Sequence, residues 1–255
     1  MLDVSDLSLS YGGGEPVLEG AHLRVEPGQF VSLVGPSGSG KSSLLRAIIG
    51  LQQPSAGTVT LGVDRPDVGM LFQDDALLPW RTALDNVALG LRIRGKPRPR
   101  SRDEAERWLE RLGLAGFGPR FPRALSGGQR KRVALAQVLA LEPRLLLMDE
   151  PFASLDAIVR HRITQDLLDL VEGEKISVLL VTHDLEEAIS LSDRVFVMTA
   201  GPGTVKSNYV IDLPRPRNVA EIRFQPRFAA IYEEIWKDLR DEVLVSYERQ
   251  KRGAA

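Results

Sequence analysis

Three short stretches of this 255-residue chain combine residue types that do chemistry together. Gly35-Pro36-Ser37-Gly38-Ser39-Gly40-Lys41-Ser42 fits the pattern G-x-x-x-x-G-K-[ST]. Its glycines let backbone N–H groups turn inward around a polyphosphate. A helix starting at Lys41 aims the positive end of its dipole at the same anion. Lys41 can reach the β- and γ-phosphates, the Ser42 hydroxyl can ligate Mg2+, and Ser43 completes the nucleotide-binding set. Further on, Leu145-Leu146-Leu147-Met148 is an apolar run ending in Asp149 and Glu150. An Asp at the end of a buried strand is a partner for phosphate-bound Mg2+, and an adjacent Glu can orient or deprotonate a water. The third stretch, Leu125-Ser126-Gly127-Gly128-Gln129, is a Gly-rich helix start capped by Ser126.

The elements that must hold these residues alternate. Leu2, Val4, Leu7 and Leu9, then Val17, Leu23 and Val25, mark an N-terminal β region. Phe30 to Val34 reads as a buried strand, Ser42 to Ile49 as a helix ended by Gly50, and Val68 to Phe72 as a strand. Leu91 to Arg102 (LRIRGKPRPRSR) reads as a solvated basic linker. Ser101 with Glu104 forms a capping-box pattern that opens a helix up to Gly113. A further helix runs from about Gly127 to Leu141, stopped by Pro143. Strands at Leu145 to Met148, Ile176 to Val181 and Val195 to Met198 then alternate with helices at Ala157 to Val171, N-capped by Asp156, and at Leu185 to Leu191. The pattern is α/β with a mostly parallel core sheet. It divides into residues 1–213, interrupted by a helical insert at about 74–142, and a C-terminal appendage, 214–255. In the appendage, Phe228, Ile231, Tyr232, Ile235, Trp236 and Leu239 recur at helical spacing. Such a face packs either on its own domain or on a partner.

Composition narrows the classes. Hydrophobic residues make up 43% and charged residues 26%, which excludes wholesale disorder. There is no cysteine, so disulfide frameworks, thiolate metal sites and a Cys nucleophile are excluded. With 33 basic and 34 acidic residues the net charge is −1, so no global basic field attracts nucleic acid. No apolar run reaches the roughly 18–20 residues of a membrane span, and the start MLDVSDLSLS has no signal-like apolar core. A cytoplasmic protein is expected, meeting a membrane only through partners.

Together, in this order, the motifs resemble those of the ATP-binding-cassette (ABC) ATPases from Leu2 to about Leu213. The resemblance implies a P-loop NTPase cassette: a mostly parallel core sheet, an antiparallel N-terminal β region and a helical insert. It further implies that Tyr11 stacks on adenine and that Gln73 senses Mg2+ and the γ-phosphate. Ser154-Leu155-Asp156 matches the D-loop at a dimer seam, and His183 in VTHD matches the switch histidine. Such cassettes bind ATP with Mg2+ between two copies arranged head to tail. The phosphate loop of one faces Ser126, Gly127, Gly128 and Gln129 of the other, while Glu150 drives hydrolysis. FQDDALLPWRTALDNVALGL, MDEPFASLDA and THDLEEAISLSDRVFVMTAGPGTV look most like importer subunits of the nitrate, sulfonate and taurine type. That type works on the inner face of the cell membrane with an integral-membrane permease, and indirectly with a periplasmic solute-binding protein. The insert near Gln73, with Trp80 and its LLPW neighbours, is the natural permease contact. An exporter ATPase or a soluble non-transport cassette is the alternative. Lys131 and Gln137 depart from the type, which more often carries Gln and Arg there.

Overall fold

A computed structural model of the protein describes residues 1–153 and 155–253; Ser154 of the D-loop match lies outside the described residues. The chain opens with β1 (Leu2–Ser10), β2 (Pro16–Val25), β3 (Phe30–Val34), α1 (Lys41–Ile48) and β4 (Ala56–Leu61). Next come β5 (Val68–Leu71), α2 (Ala83–Ile93), α3 (Arg98–Arg111), α4 (Gly127–Leu139), β6 (Leu145–Asp149) and α5 (Ala157–Glu174). The chain then forms β7 (Ser177–Thr182), α6 (Leu185–Leu191), β8 (Arg194–Met198), β9 (Val205–Val210) and α7 (Pro226–Gly253). It divides into two compact units, one made of Met1–Arg65 and Lys175–Ala255, the other of Pro66–Glu174.

In the first unit, β1 pairs antiparallel with β2 on one side and β4 on the other. β3 lies between β7 and β8, parallel to both, with Leu33 opposite Val181 and Phe196. Sheet neighbours on both edges and cover on both faces explain why all five of its residues are buried and why it reads as a continuous run. β9 adds antiparallel to β8. α6 and α7 cover Val34, Val195 and Val197 in one apolar cluster. Phe228, Ile231, Ile235 and Leu239 of α7 are at most 4% exposed there, so the amphipathic face packs on its own unit. Each such side chain contributes about 1.5–3 kcal/mol by leaving water. Trp236 falls at the edge of the stripe, 40% exposed and stacked on Tyr232. Arg217, buried, donates to the carbonyls of Ser192 and Leu213 and so ties the approach to α7 onto α6 and its exit. Asp238 of α7 accepts from Ser207 Oγ at 2.6 Å and Tyr209 Oη at 2.7 Å. These two bonds, Ser207's first, hold its carboxyl below the usual carboxylate range.

In the second unit, β5 and β6 pair in parallel, and the apolar run of β6 is buried throughout. The basic stretch from Leu91 is not a linker: it finishes α2, turns at Gly95 and enters α3 at Arg98. α3 starts three residues before Ser101 because Pro97 precedes it and Pro99 sits in its first turn, where a missing N–H costs nothing. The expected capping box is therefore absent. Ser101 Oγ instead donates back to the Arg98 carbonyl, and Glu104 pairs with Lys96. α2 is capped by Thr82, whose Oγ1 accepts from the Asp85 N–H. Asn86, fully buried, accepts from the Leu78 N–H and donates to the Leu78, Arg81 and Thr82 carbonyls. That lattice fixes the LLPW turn and leaves Trp80 71% exposed rather than in a core.

Candidate functional site

In the first unit the chain leaves buried β3 and turns through Gly35 to Gly40 into α1. Gly38 and Gly40 have φ of +82° and +90°, the left-handed region open to glycine. At Gly40 a Cβ would also lie 2.6 Å from Leu18 Cδ2, so only glycine fits. Lys41, 5% exposed, folds into the loop: its Nζ donates to the Gly35 and Pro36 carbonyls at 2.8 and 2.9 Å. The helix begins with Gly40 as N-cap and no side-chain capping bond. Ser39 Oγ is buried with no hydrogen-bond partner. The crest, Ser37 and Gly38, is exposed. Tyr11, 43% exposed, donates from its hydroxyl to Ser43 Oγ at 3.0 Å, which sets an accessible aromatic ring beside the start of α1. His183 directly follows β7 and is exposed. Thr182 Oγ1 accepts from the Asp184 N–H, and Asp184 caps α6 by accepting from the Glu187 N–H.

In the second unit, Asp149 ends β6 and is 7% exposed, whereas Glu150 is half-buried in the next turn. Glu150 has a φ of +43°, a left-handed backbone that side chains disfavour. Ser126 caps α4 in a complete capping box with Gln129. Asp156 caps α5 by accepting from the Val159 N–H at 3.0 Å, as its position predicts. Gln73 follows β5, is exposed, and lines a cleft of about 390 Å³ with Asp74, Asp75, Arg130 and Ala153.

A family model described as "ABC transporter" matches residues 18–153. The aliphatic sulfonates import ATP-binding protein of Pseudomonas entomophila is 45% identical over 239 residues, covering 92% of this chain and 84% of the relative. The chain belongs to the ABC transporter family. The nitrate import ATP-binding protein of Synechocystis sp. is another relative of this ABC cassette, 40% identical over 252 residues, 94% of this chain and 95% of the relative. Among solved structures, the dimeric post-hydrolysis state of the ATP-binding cassette MJ0796 bound to ADP and Pi is similar, with a TM-score of 0.74 and 32% identity. It covers 84% of this chain and 100% of the other.

Two residues of the ABC cassette carry more than their positions suggested. Gly128 faces α5 so closely that a Cβ would lie 2.6 Å from Val159 Cγ1, so this glycine at the start of α4 is what lets the two helices pack there. Lys131, one of the two departures from the importer type, is buried at 1% exposure. Its Nζ pairs with Asp75 at 3.0 Å and donates to the Gln73 carbonyl at 3.1 Å. α4 thus holds the backbone of Gln73 directly. Nothing in the sequence pattern announced that bond, because it joins residues 58 apart. Among the described residues no cluster of three or more His, Cys, Asp or Glu can hold a metal. Taken one by one, the Ser42 hydroxyl, the Asp149 carboxylate and the Gln73 side-chain carbonyl are hard oxygen donors, the chemistry that suits Mg2+. No described helix is long and apolar enough to cross a membrane.

Proposed function

We propose that this chain is the ATP-hydrolysing subunit of an importer for a small solute of the nitrate, sulfonate or taurine class. The observation that carries the reading is the start of α1: an exposed Gly-rich crest, a helix with no side-chain cap, and a lysine folded into the loop beside a buried, unpartnered Ser39 hydroxyl. That arrangement offers hydrogen-bond donors and a cation to a polyphosphate. Gly35 to Ser43 hold the phosphates of ATP, and Tyr11 stacks on the base. Ser42, Asp149 and Gln73 would hold Mg2+, which would supply positive charge to offset that of the phosphates. Glu150 orients a water and takes its proton as the water oxygen attacks the γ-phosphorus and the bond to the β-phosphate oxygen breaks. His183 contacts the γ-phosphate. The names of the sulfonate and nitrate relatives favour import over export or a soluble complex.

Two copies close head to tail around two ATP molecules, with Ser126, Gly127, Gly128 and Gln129 of one facing the phosphate loop of the second and Asp156 at the seam. Hydrolysis removes the shared γ-phosphate and reopens the pair, a ligand-driven population shift that an integral-membrane permease converts into alternating access. The helical insert, about 74–142, meets that permease on the cytoplasmic face of the membrane, and exposed Trp80 is its candidate anchor. A periplasmic binding protein selects the solute, so this chain touches none.

The deciding experiment is Glu150→Gln. It removes one charge and leaves the phosphate loop intact, so ATP still binds while turnover falls by roughly 10²–10⁴. Sedimentation with Mg-ATP should then show a stable dimer that Ser126→Arg abolishes. A Glu150→Gln chain that is monomeric with normal turnover would overturn the reading.

A further inference from the structure

The stripe that packs α7 on its unit does not stop where the core stops. Phe228, Ile231, Ile235 and Leu239 are followed at the same spacing by Glu242, Ser246 and Arg249. One face of the helix changes from apolar to hydrogen-bonding, and each of the three polar residues has a partner at or next to the phosphate loop. The Glu242 carboxylate, 15% exposed, accepts from the Ala200 N–H at 2.9 Å and pairs with Lys206 at 3.0 Å. The Arg249 guanidinium donates to the Ala200 carbonyl. Ser246 Oγ donates to the carbonyl of Ser37, on the crest itself, at 3.3 Å.

Ala200 opens the turn that leads to Gly203, and that turn lies against the phosphate loop. A Cβ on Gly203 would come within 1.9 Å of the Ser39 carbonyl, and one on Gly201 would lie 3.7 Å from the Gly38 carbonyl. On its other side Gly203 donates its N–H to the Val17 carbonyl. The path from α7 to the nucleotide site is therefore continuous: helix to Ala200 turn to phosphate loop, with Ser246 as a direct second contact. A Gly-rich crest free to sample other shapes loses conformational entropy when it closes on phosphate, and holding it beforehand removes part of that cost.

We propose that Glu242, Ser246 and Arg249 are positioning residues that hold the phosphate loop in its ATP-ready shape, which makes the end of α7 a determinant of nucleotide affinity. The proposal rests on the ATP-binding reading above.

Two variants test it: a chain ending at Asp241, and full-length Ser246→Ala with Arg249→Ala. Each is measured by equilibrium titration with Mg-ATP, by turnover against ATP concentration, and by thermal melting. Leu239 and the packed residues before it remain in both, so melting should move little. The expected result is a Kd and KM for ATP raised about fivefold with kcat nearly unchanged, largely restored by Arg249→Lys in place of Arg249→Ala. A merely structural role for the helix end would instead lower melting temperature and kcat together. Unchanged Kd in either folded variant overturns the proposal while leaving the ATP site standing. An intact chain that binds no ATP overturns both.

Discussion

Two helices of this cassette begin at glycine-rich sequences, and they begin in opposite ways. α1 starts at Gly40, in a left-handed conformation, without a side-chain cap. α4 starts at Ser126, whose hydroxyl accepts from the Gln129 N–H at 3.3 Å while the Gln129 side chain accepts from the Ser126 N–H at 3.0 Å. Every helix leaves its first N–H groups without intrahelical partners. α4 satisfies part of that need from its own sequence. α1 has no side-chain cap at Gly40, and on the proposed function that start is where the phosphates of ATP sit.

The contrast breaks most severely at Gly40. Gly40→Ser would give α1 the kind of cap α4 has, at a position whose φ and close approach to Leu18 refuse a Cβ. Stability should drop by about 1–3 kcal/mol from strain. Losing even one charge-assisted phosphate bond, ~1.5–3 kcal/mol, should weaken ATP by about tenfold or more. Thermal melting and an ATP titration read the two effects separately. Ser126→Ala removes the cap that α4 does have, costing about 1 kcal/mol. ATP binding to the single chain should be unchanged, while the ATP-dependent dimer of a Glu150→Gln chain should weaken in sedimentation. Gln129→Ala is the finest cut. It breaks the return half of the box but leaves the hydroxyl, so denaturant unfolding should show a loss of only about 0.5 kcal/mol.

What the sequence made legible follows the same division between chemistry and packing. The phosphate loop, the acidic end of β6 and the Ser126 cap are contiguous, and their residue types have few other uses in combination. Buried β3 and α6 were legible because their apolar runs end at Gly or Ser. β4 and β9 were not, since no position of either strand is fully buried, and β4 contains a glycine at φ +84°. α2 was hidden by Gly90 and by a basic run that looked solvated. α3 was misplaced because its prolines read as a break when they sit at its start. Lys131 beneath Gln73, and Arg249 at Ala200, join residues 58 and 49 apart, and no local pattern encodes such a meeting.

The left-handed backbone of Glu150 has a consequence for heat resistance. A side chain in that conformation costs about 1–2 kcal/mol relative to glycine, so the chain carries a local instability at the residue assigned to activate water. The same position in a protein selected only for survival at high temperature would drift to glycine or asparagine. Enrichment of Glu150→Gly among heat-stable clones would therefore mark a cassette that has gained durability by ceasing to turn over. Asp6, Ala76, Glu142 and Lys175 share that left-handed backbone, so thermostability engineering of this chain can seek the same gain there and has to leave Glu150 alone.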